Sequence, residues 1–128
     1  MKKNILLDMS ATLIHHGHVR LIKKASKFGN VIIALTRDKE IKKYKGYNPE
    51  IKFRNRKEIL QSFKNVHRVV PCNFIITDKF LKNLNIDFLV HGSDNFNKVS
   101  KKKIKIFRRT NGISSTIIRK KACRNLKK

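Results

Sequence analysis

The stretch Leu6–Val19, LLDMSATLIHHGHV, decides how the chain is read. An apolar run stops at Asp8, a small polar segment follows, and three histidines flank Gly17 where a helix begins. Asn4–Leu7, with charged flanks, reads as a buried strand. Downstream, Val19, Ile22 and Ser26 alternate with Leu21, Ala25 and Phe28 at helical spacing, and Gly29-Asn30 supplies the stop. Val31–Leu35, VIIAL, is continuous and β-branched, as parallel strands covered on both faces tend to be. Strand, helix and strand within about 35 residues make a βαβ unit, whose crossover must be right-handed.

The remaining chain continues the alternation. Thr36–Lys45 is polar and basic, with room for a short helix, and Gly46–Pro49 is a loop. Arg56, Ile59, Leu60 and Phe63 stand at i, i+3, i+4 and i+7, which predicts an amphipathic helix from about Phe53 to Lys64. Val66–Val70 is a third strand, and Asp78–Leu84 a short helix capped by Thr77 or Asp78. Asp87–Val90 is a fourth strand and Ile104–Phe107 a fifth, edge-like one. Arg109–Ile113 is a turn, and Ser114 caps a last helix over Ser115–Cys123 with a basic tail. The expected fold is α/β: residues 1–128 as a single Rossmann-like three-layer α/β/α domain with a five-stranded, mostly parallel sheet. No internal repeat and no linker interrupts it. In such sheets ligands bind beyond the carboxyl ends of the strands. There the informative residues gather: Ser10–His18, Lys43 and Lys45, His91–Asp94, and Arg109–Thr116.

The formal net charge is +24 over 128 residues, with Lys outnumbering Arg 23 to 9. Such a charge pulls on polyanions and says nothing direct about fold. Nucleic-acid binding, a small anionic substrate and compositional drift toward Lys, Asn and Ile all account for it. A substrate combined with drift is the preferred reading, because the basic residues are spread along the chain and clustered aromatics for a single-strand platform are missing. Cys72 and Cys123 form no CxxC pair, which points to a reduced, cytoplasmic setting. No apolar run approaches the ~20 residues of a membrane span. The start, MKKNILLD, has too short an apolar part for a signal peptide.

His15 and His18 are three apart and share a helical face. At a helix N-terminus, free N–H groups and the dipole favour anions. Gly17, with no Cβ, lets a ligand approach the backbone between them. Two imidazoles and free amides would cradle a polyphosphate, with His16 pointing elsewhere in a structural role. Surface histidines or a zinc pair remain alternatives, although His67 and His91 are the only other histidines to complete a metal site.

This stretch resembles the signature of the HIGH-motif nucleotidyltransferase superfamily, whose cytidylyltransferase branch reads roughly GTFDxxHxGH. Arg109–Thr116, RTNGISST, resembles the RTxGISTT motif of the glycerol-phosphate, choline-phosphate and ethanolamine-phosphate cytidylyltransferases. The Lys-rich loop followed by RKEIL, and the HGSD after the fourth strand, fall where that family has counterparts, so the resemblance covers nearly the whole chain.

The resemblance implies CMP transfer from CTP to a small phosphoalcohol of the glycerol-3-phosphate type, with release of pyrophosphate. It implies Mg²⁺ carried with the triphosphate, and a homodimer. It implies catalytic roles for His15, His18, Lys45 and Arg109. Nucleotide contacts fall on Ser10, Gly17, Lys43, Gly92, Asp94, Thr110, Ser114, Ser115 and Thr116, and an acceptor contact on Arg56. Taken alone, Ser114 and Ser115 are a helix cap, Lys43 and Lys45 part of a solvated basic run, Arg56 a surface residue and Asp94 a turn residue. Three departures from the pattern stand out. Thr12 occupies the place of the Asp linked to metal binding, Ser93 that of the first Asp of GDD, and Asn111 that of the acid within RTxG. Ile113–Arg119, ISSTIIR, also resembles the closing motif of ATP-using members.

Overall fold

A computed structural model describes residues 2–91, 99, 100, 103–106 and 110–127. Strand β1 (Lys3–Met9) leads through a loop to α1 (His16–Ser26) and β2 (Gly29–Thr36). Then come α2 (Asp38–Lys45), α3 (Phe53–Gln61), β3 (Val66–Cys72), α4 (Asp78–Asn83), β4 (Phe88–His91), β5 (Ile104–Ile106) and α5 (Ser115–Leu126). The five strands form one sheet in the order β3-β2-β1-β4-β5. Every pairing is parallel, with Leu7 beside Ile33 on one side and Val90 on the other. The chain winds outward from β1 in one direction and then restarts at β4, so the strand order reverses between β1 and β4. That is the place where such sheets leave a crevice.

Side-chain alternation builds two cores, one on each face. Ile5, Leu7, Val31, Ile33, Leu35, Val69 and Val90 pack against Ile22 and Ala25 of α1 and Leu60 of α3. Leu6, Ile32, Ala34 and Leu89 face the other way, onto Ile76, Leu81 and Ile86 around α4. The central strands are covered on both faces, which is why β2 reads as an unbroken apolar run. Thr77 caps α4, its hydroxyl accepting from the Phe80 N–H at 3.3 Å.

Several boundaries differ from the sequence expectation. Helix α1 closes at Ser26 with Lys27 as its cap, and Gly29 is the first residue of β2 instead of a helix stop. A Cβ on Gly29 would lie 2.1 Å from the Lys3 carbonyl oxygen, so glycine is required there by close strand approach. Helix α3 ends at Gln61, three residues short of the predicted Lys64, and α5 runs on to Leu126. The proposed fifth strand ends at Ile106 in the described residues; Phe107 lies outside them. Among the described residues, no helix is long and apolar enough to cross a membrane.

Candidate active site

The loop after β1 turns sharply at Ala11, which sits in the left-handed region at φ 45° and is buried. Non-glycine residues rarely hold that conformation, and its cost of about 1–3 kcal/mol must be met by surrounding contacts. Arg56 supplies them. Its guanidinium, on α3, donates to the carbonyls of Ser10 (2.5 Å), Thr36 (3.1 Å) and Ile51 (2.9 Å) and to the carboxylate of Asp38 (2.5 Å). Thr36 in turn donates its hydroxyl to the Met9 carbonyl at 3.2 Å. The ends of β1 and β2 are thereby tied to one buried cation.

From this anchored loop the chain enters α1 through His15, the N-cap residue. His15 Nδ1 accepts the Gly17 N–H at 3.0 Å, and the His15 N–H donates to His18 Nδ1 at 3.1 Å. The two rings lie 4.0 Å apart between centroids. Because both Nδ1 atoms are acceptors, each neutral imidazole carries its proton on Nε2 and is a donor at that end. Burial pushes His18 down to about 4, with His15 and Lys45 adding to the effect. His15 is also lowered, by burial and then by His16. Gly17 permits this arrangement: a Cβ there would lie 2.8 Å from His15 Cε1 and 3.3 Å from Ile113 Cγ2.

The second helix N-terminus meets the first. Ser114 caps α5, accepting the Ile117 N–H at 3.0 Å. Ser115 Oγ donates to the Leu13 carbonyl (2.8 Å) and accepts the Leu13 N–H (3.2 Å). This staple brings the starts of α1 and α5 to the same cleft. On the remaining side, Gly46 closes α2 at φ 80° and its N–H bonds the Lys42 carbonyl, turning the chain so that Lys45 and Tyr47 line the cleft.

The cavity has a volume of about 490 Å³. Of the predicted site residues, Ser10, His15, Gly17 and His18 line it from the first motif, and Lys45 from α2. Thr110, Ser114, Ser115 and Thr116 line it from the closing motif. Two assignments need correction. Arg56 is fully buried with its N–H groups spent on main-chain carbonyls and Asp38, so it positions the loop and has no surface to offer an acceptor. Lys43 is exposed, does not line the cavity, and rests its Nζ 5.2 Å from the Tyr44 ring centroid. Gly92, Asp94 and Arg109 lie outside the described residues.

The structure adds residues that sequence reasoning passed over. Arg20, Leu21 and Lys24 line the cleft one and two turns beyond Gly17, a helical periodicity that was available in the sequence. Tyr47 and Ile113 line it as well, and so does Asp8, the strand-end acid that the sequence offers in place of the one missing at Thr12. Thr12, in the place of the expected acid, is buried and its Oγ1 accepts from Arg119 Nη2 at 3.1 Å. Among the described residues no group of three His, Cys, Asp or Glu side chains could hold a metal ion. A guanidinium stands beside Thr12, where the family pattern has an acid.

Comparison with known proteins places this geometry. Residues 10–121 match the family described as Cytidylyltransferase-like. The chain is 27% identical over 124 residues to an ethanolamine-phosphate cytidylyltransferase of Dictyostelium discoideum, an alignment covering 88% of this chain and 34% of that protein. It is 34% identical over 99 residues to the bifunctional protein HldE of Helicobacter pylori, covering 76% of this chain and 22% of that one. The chain thus spans about a third or less of the length of these curated relatives. The crystal structure of a lipopolysaccharide core biosynthesis protein from Thermoplasma volcanium superposes with a TM-score of 0.70 at 19% identity. That match covers 86% of this chain and 98% of the other, a likeness of fold.

Proposed function

Because the chain belongs to the cytidylyltransferase-like family, we propose that it transfers CMP from CTP to a small phosphoalcohol of the glycerol-3-phosphate type and releases pyrophosphate. The observation that carries the reading is the stapled pair of helix N-termini. The starts of α1 and α5 line one cleft together with the rings of His15 and His18, both held by Nδ1 hydrogen bonds that leave the proton on Nε2. That inventory suits a triphosphate. Ethanolamine-phosphate cytidylyltransferases among the relatives support a phosphoalcohol as acceptor.

In this proposal a phosphate oxygen of the acceptor attacks the α-phosphorus. The bond from that phosphorus to the bridging oxygen breaks, and pyrophosphate leaves. The nucleophile is already an anion, so no general base is needed. The chain's task is to hold two anions in line and to meet negative charge as it builds. His15 and His18 donate from Nε2 to the α-phosphate and the leaving oxygen. The N-terminus of α5, with Ser114 and Thr116, holds the outer phosphates. Lys45 offsets charge between the two substrates, and Arg109 adds a clamp from the closing motif. Mg²⁺ enters as counterion of the triphosphate, with no ligand assigned to this chain. A homodimer and a cytoplasmic setting, in which Cys72 and Cys123 stay as thiols, go with this reading.

The test is pyrophosphate release with CTP or ATP against glycerol-3-phosphate, ethanolamine phosphate and choline phosphate, with His18→Ala as control. CTP-dependent release that vanishes in the variant is expected. Release with ATP alone would transfer the reading to adenylyl transfer, whose closing motif the ISSTIIR segment also resembles, although the RTNG before it tilts toward CTP. Tight RNA binding at physiological salt without any CTP binding would make the net charge of +24 the functional feature instead.

A further inference from the structure

Behind the cleft wall, four side chains from three separate segments form one connected group. Arg119, on α5, pairs both its Nε and its Nη2 with the Glu50 carboxylate, the latter at 2.6 Å. Nη2 also donates to Thr12 Oγ1 at 3.1 Å. Thr12 Oγ1 lies 3.5 Å from Tyr47 Oη, and the Arg119 guanidinium sits 4.4 Å from the centre of the Tyr47 ring. Thr12 is buried, whereas Tyr47 is half-buried and, like Thr12, lines the cavity.

The polarity of the group follows from Arg119. A guanidinium can only donate, so Thr12 must accept from it. A hydroxyl that accepts from a cation becomes a stronger donor, because hydrogen bonds in a chain polarise one another. At 3.5 Å either hydroxyl of the Thr12–Tyr47 pair could donate; the cation on Thr12 favours the arrangement in which Thr12 donates to Tyr47 Oη. With its oxygen accepting, the phenol has its single proton left for the cleft. Glu50 holds the cation in place by a bidentate contact, and its own carboxyl is kept below the usual range by that hydrogen bond. Nothing in this arrangement needs a metal: the wall presents a donor, whereas a carboxylate at position 12 would present an acceptor.

We infer that Arg119 and Thr12 orient Tyr47 Oη as a hydrogen-bond donor to a phosphate oxygen bound in the cleft, an anion-binding role for Tyr47. The inference rests on the reading of the cleft as a phosphate-transfer site and adds to it the wall that faces the substrate. The oxygen belongs either to the triphosphate or to the phosphorylated acceptor, and two binding arms separate these sources.

The experiment is calorimetric titration of the whole chain with CTP, inorganic tripolyphosphate and ethanolamine phosphate, each in EDTA and in Mg²⁺. Tyr47→Phe removes one hydroxyl and keeps the ring against Arg119. A hydrogen bond to a charged group predicts a loss of about tenfold or more in affinity. A loss confined to ethanolamine phosphate assigns the donor to the acceptor. A loss with CTP and tripolyphosphate assigns it to the nucleotide. Thr12→Val should weaken the same ligand, and the double variant should fall little further than Tyr47→Phe, since both act through one proton. Affinities within twofold of the parent in Tyr47→Phe would overturn the inference, as would fully multiplicative effects in the double variant. Thr12→Asp should weaken binding in EDTA and stay weak in Mg²⁺; restoration by Mg²⁺ beyond the parent would show a metal site and overturn it. Turnover of CTP with an unaltered Tyr47→Phe sinks this inference alone. Loss of tripolyphosphate affinity in Tyr47→Phe, from a parent that turns over no nucleotide, sinks only the transferase reading. A parent that binds none of the three anions sinks both.

Discussion

Replacing Arg56 by Met separates two roles that a sequence alone leaves together. If Arg56 were a substrate-contacting residue on an amphipathic helix, the change would raise the KM for the acceptor and leave stability alone. The structure demands the opposite. Met keeps the stem of the side chain and removes donors to three carbonyls and one carboxylate. The Arg56 side chain is wholly buried, but its Asp38 partner is 42% exposed and can be rehydrated, so the ion pair itself contributes little. The cost lies in the stranded carbonyls of Ser10, Thr36 and Ile51, each worth roughly 1–3 kcal/mol when left unpaired, less whatever water reaches them. A total of about 3–5 kcal/mol is expected. For a chain of 128 residues that lowers the Tm by about 10–20 °C. Urea titration followed by circular dichroism, with a thermal scan alongside, reads both quantities. A loss below about 1 kcal/mol, together with a raised acceptor KM, would refute the account of Arg56 as the anchor of the β1 loop.

Other substitutions probe the site more locally. Gly17→Ala should displace the His15 ring, which stands 2.8 Å from the new Cβ; the lost cap, about 1 kcal/mol, is roughly offset by alanine's helix propensity. Its Tm should move little while tripolyphosphate affinity drops about tenfold; unchanged affinity would mean the ring is free to yield. Gly29→Ala should cost about 2 kcal/mol or more, because the added Cβ meets the Lys3 carbonyl oxygen at 2.1 Å and backbone cannot swing aside; a Tm at the parent value would contradict the strand geometry. His18 gives a pH signature. Its folded value of about 4 lies below the ordinary 6.5, so the unfolded chain takes the proton first and stability falls as pH drops from 6.5 toward 4. That slope is worth up to about 3 kcal/mol. Subtracting His18→Gln from the parent in urea titrations at pH 7, 5.5 and 4.5 isolates it, and parallel curves would disprove the burial effect.

The parts of this protein legible in the sequence are those with local causes. β2 shows itself through an uninterrupted β-branched run, and α1 through the spacing of Ile22 and Ala25, whereas His15, expected within the helix, is its N-cap. The closing motif shows itself through Ser114 before a helical stretch. What escaped has distant causes. Arg56 looks like one more cation on a basic helix until Asp38, 18 residues earlier, and the end of β2 are brought beside it. Lys43 and Lys45 read as a pair, yet residues two apart on a helix point in widely different directions, and only the second reaches the cleft. Tyr47 carries no sequence signal of its own. Its setting depends on Arg119, whose bonds to Glu50 and Thr12 span 69 and 107 residues. Gly29 reads as a helix stop in the sequence because glycine serves both turns and close strand contacts, and its position in the chain fits either use.

The Ser115–Leu13 staple also bears on how tightly any ligand is held. No residue of α5 is fully buried, and Lys121–Lys127 are all exposed, so little apolar contact keeps this helix on the body of the protein. Its attachment rests on a few polar bonds at its first turns, and those turns are half of the anion cradle. If the cleft holds an anion as proposed, docking of α5 and occupancy of the cleft would be linked. Under the proposed reading, a bound ligand would shield the last helix from proteases and hydrogen exchange. The measured affinity is the intrinsic one scaled by the docked fraction. Salt, which weakens the Arg119–Glu50 pair, therefore lowers affinity twice over: once by screening the phosphates and once by loosening the helix that receives them.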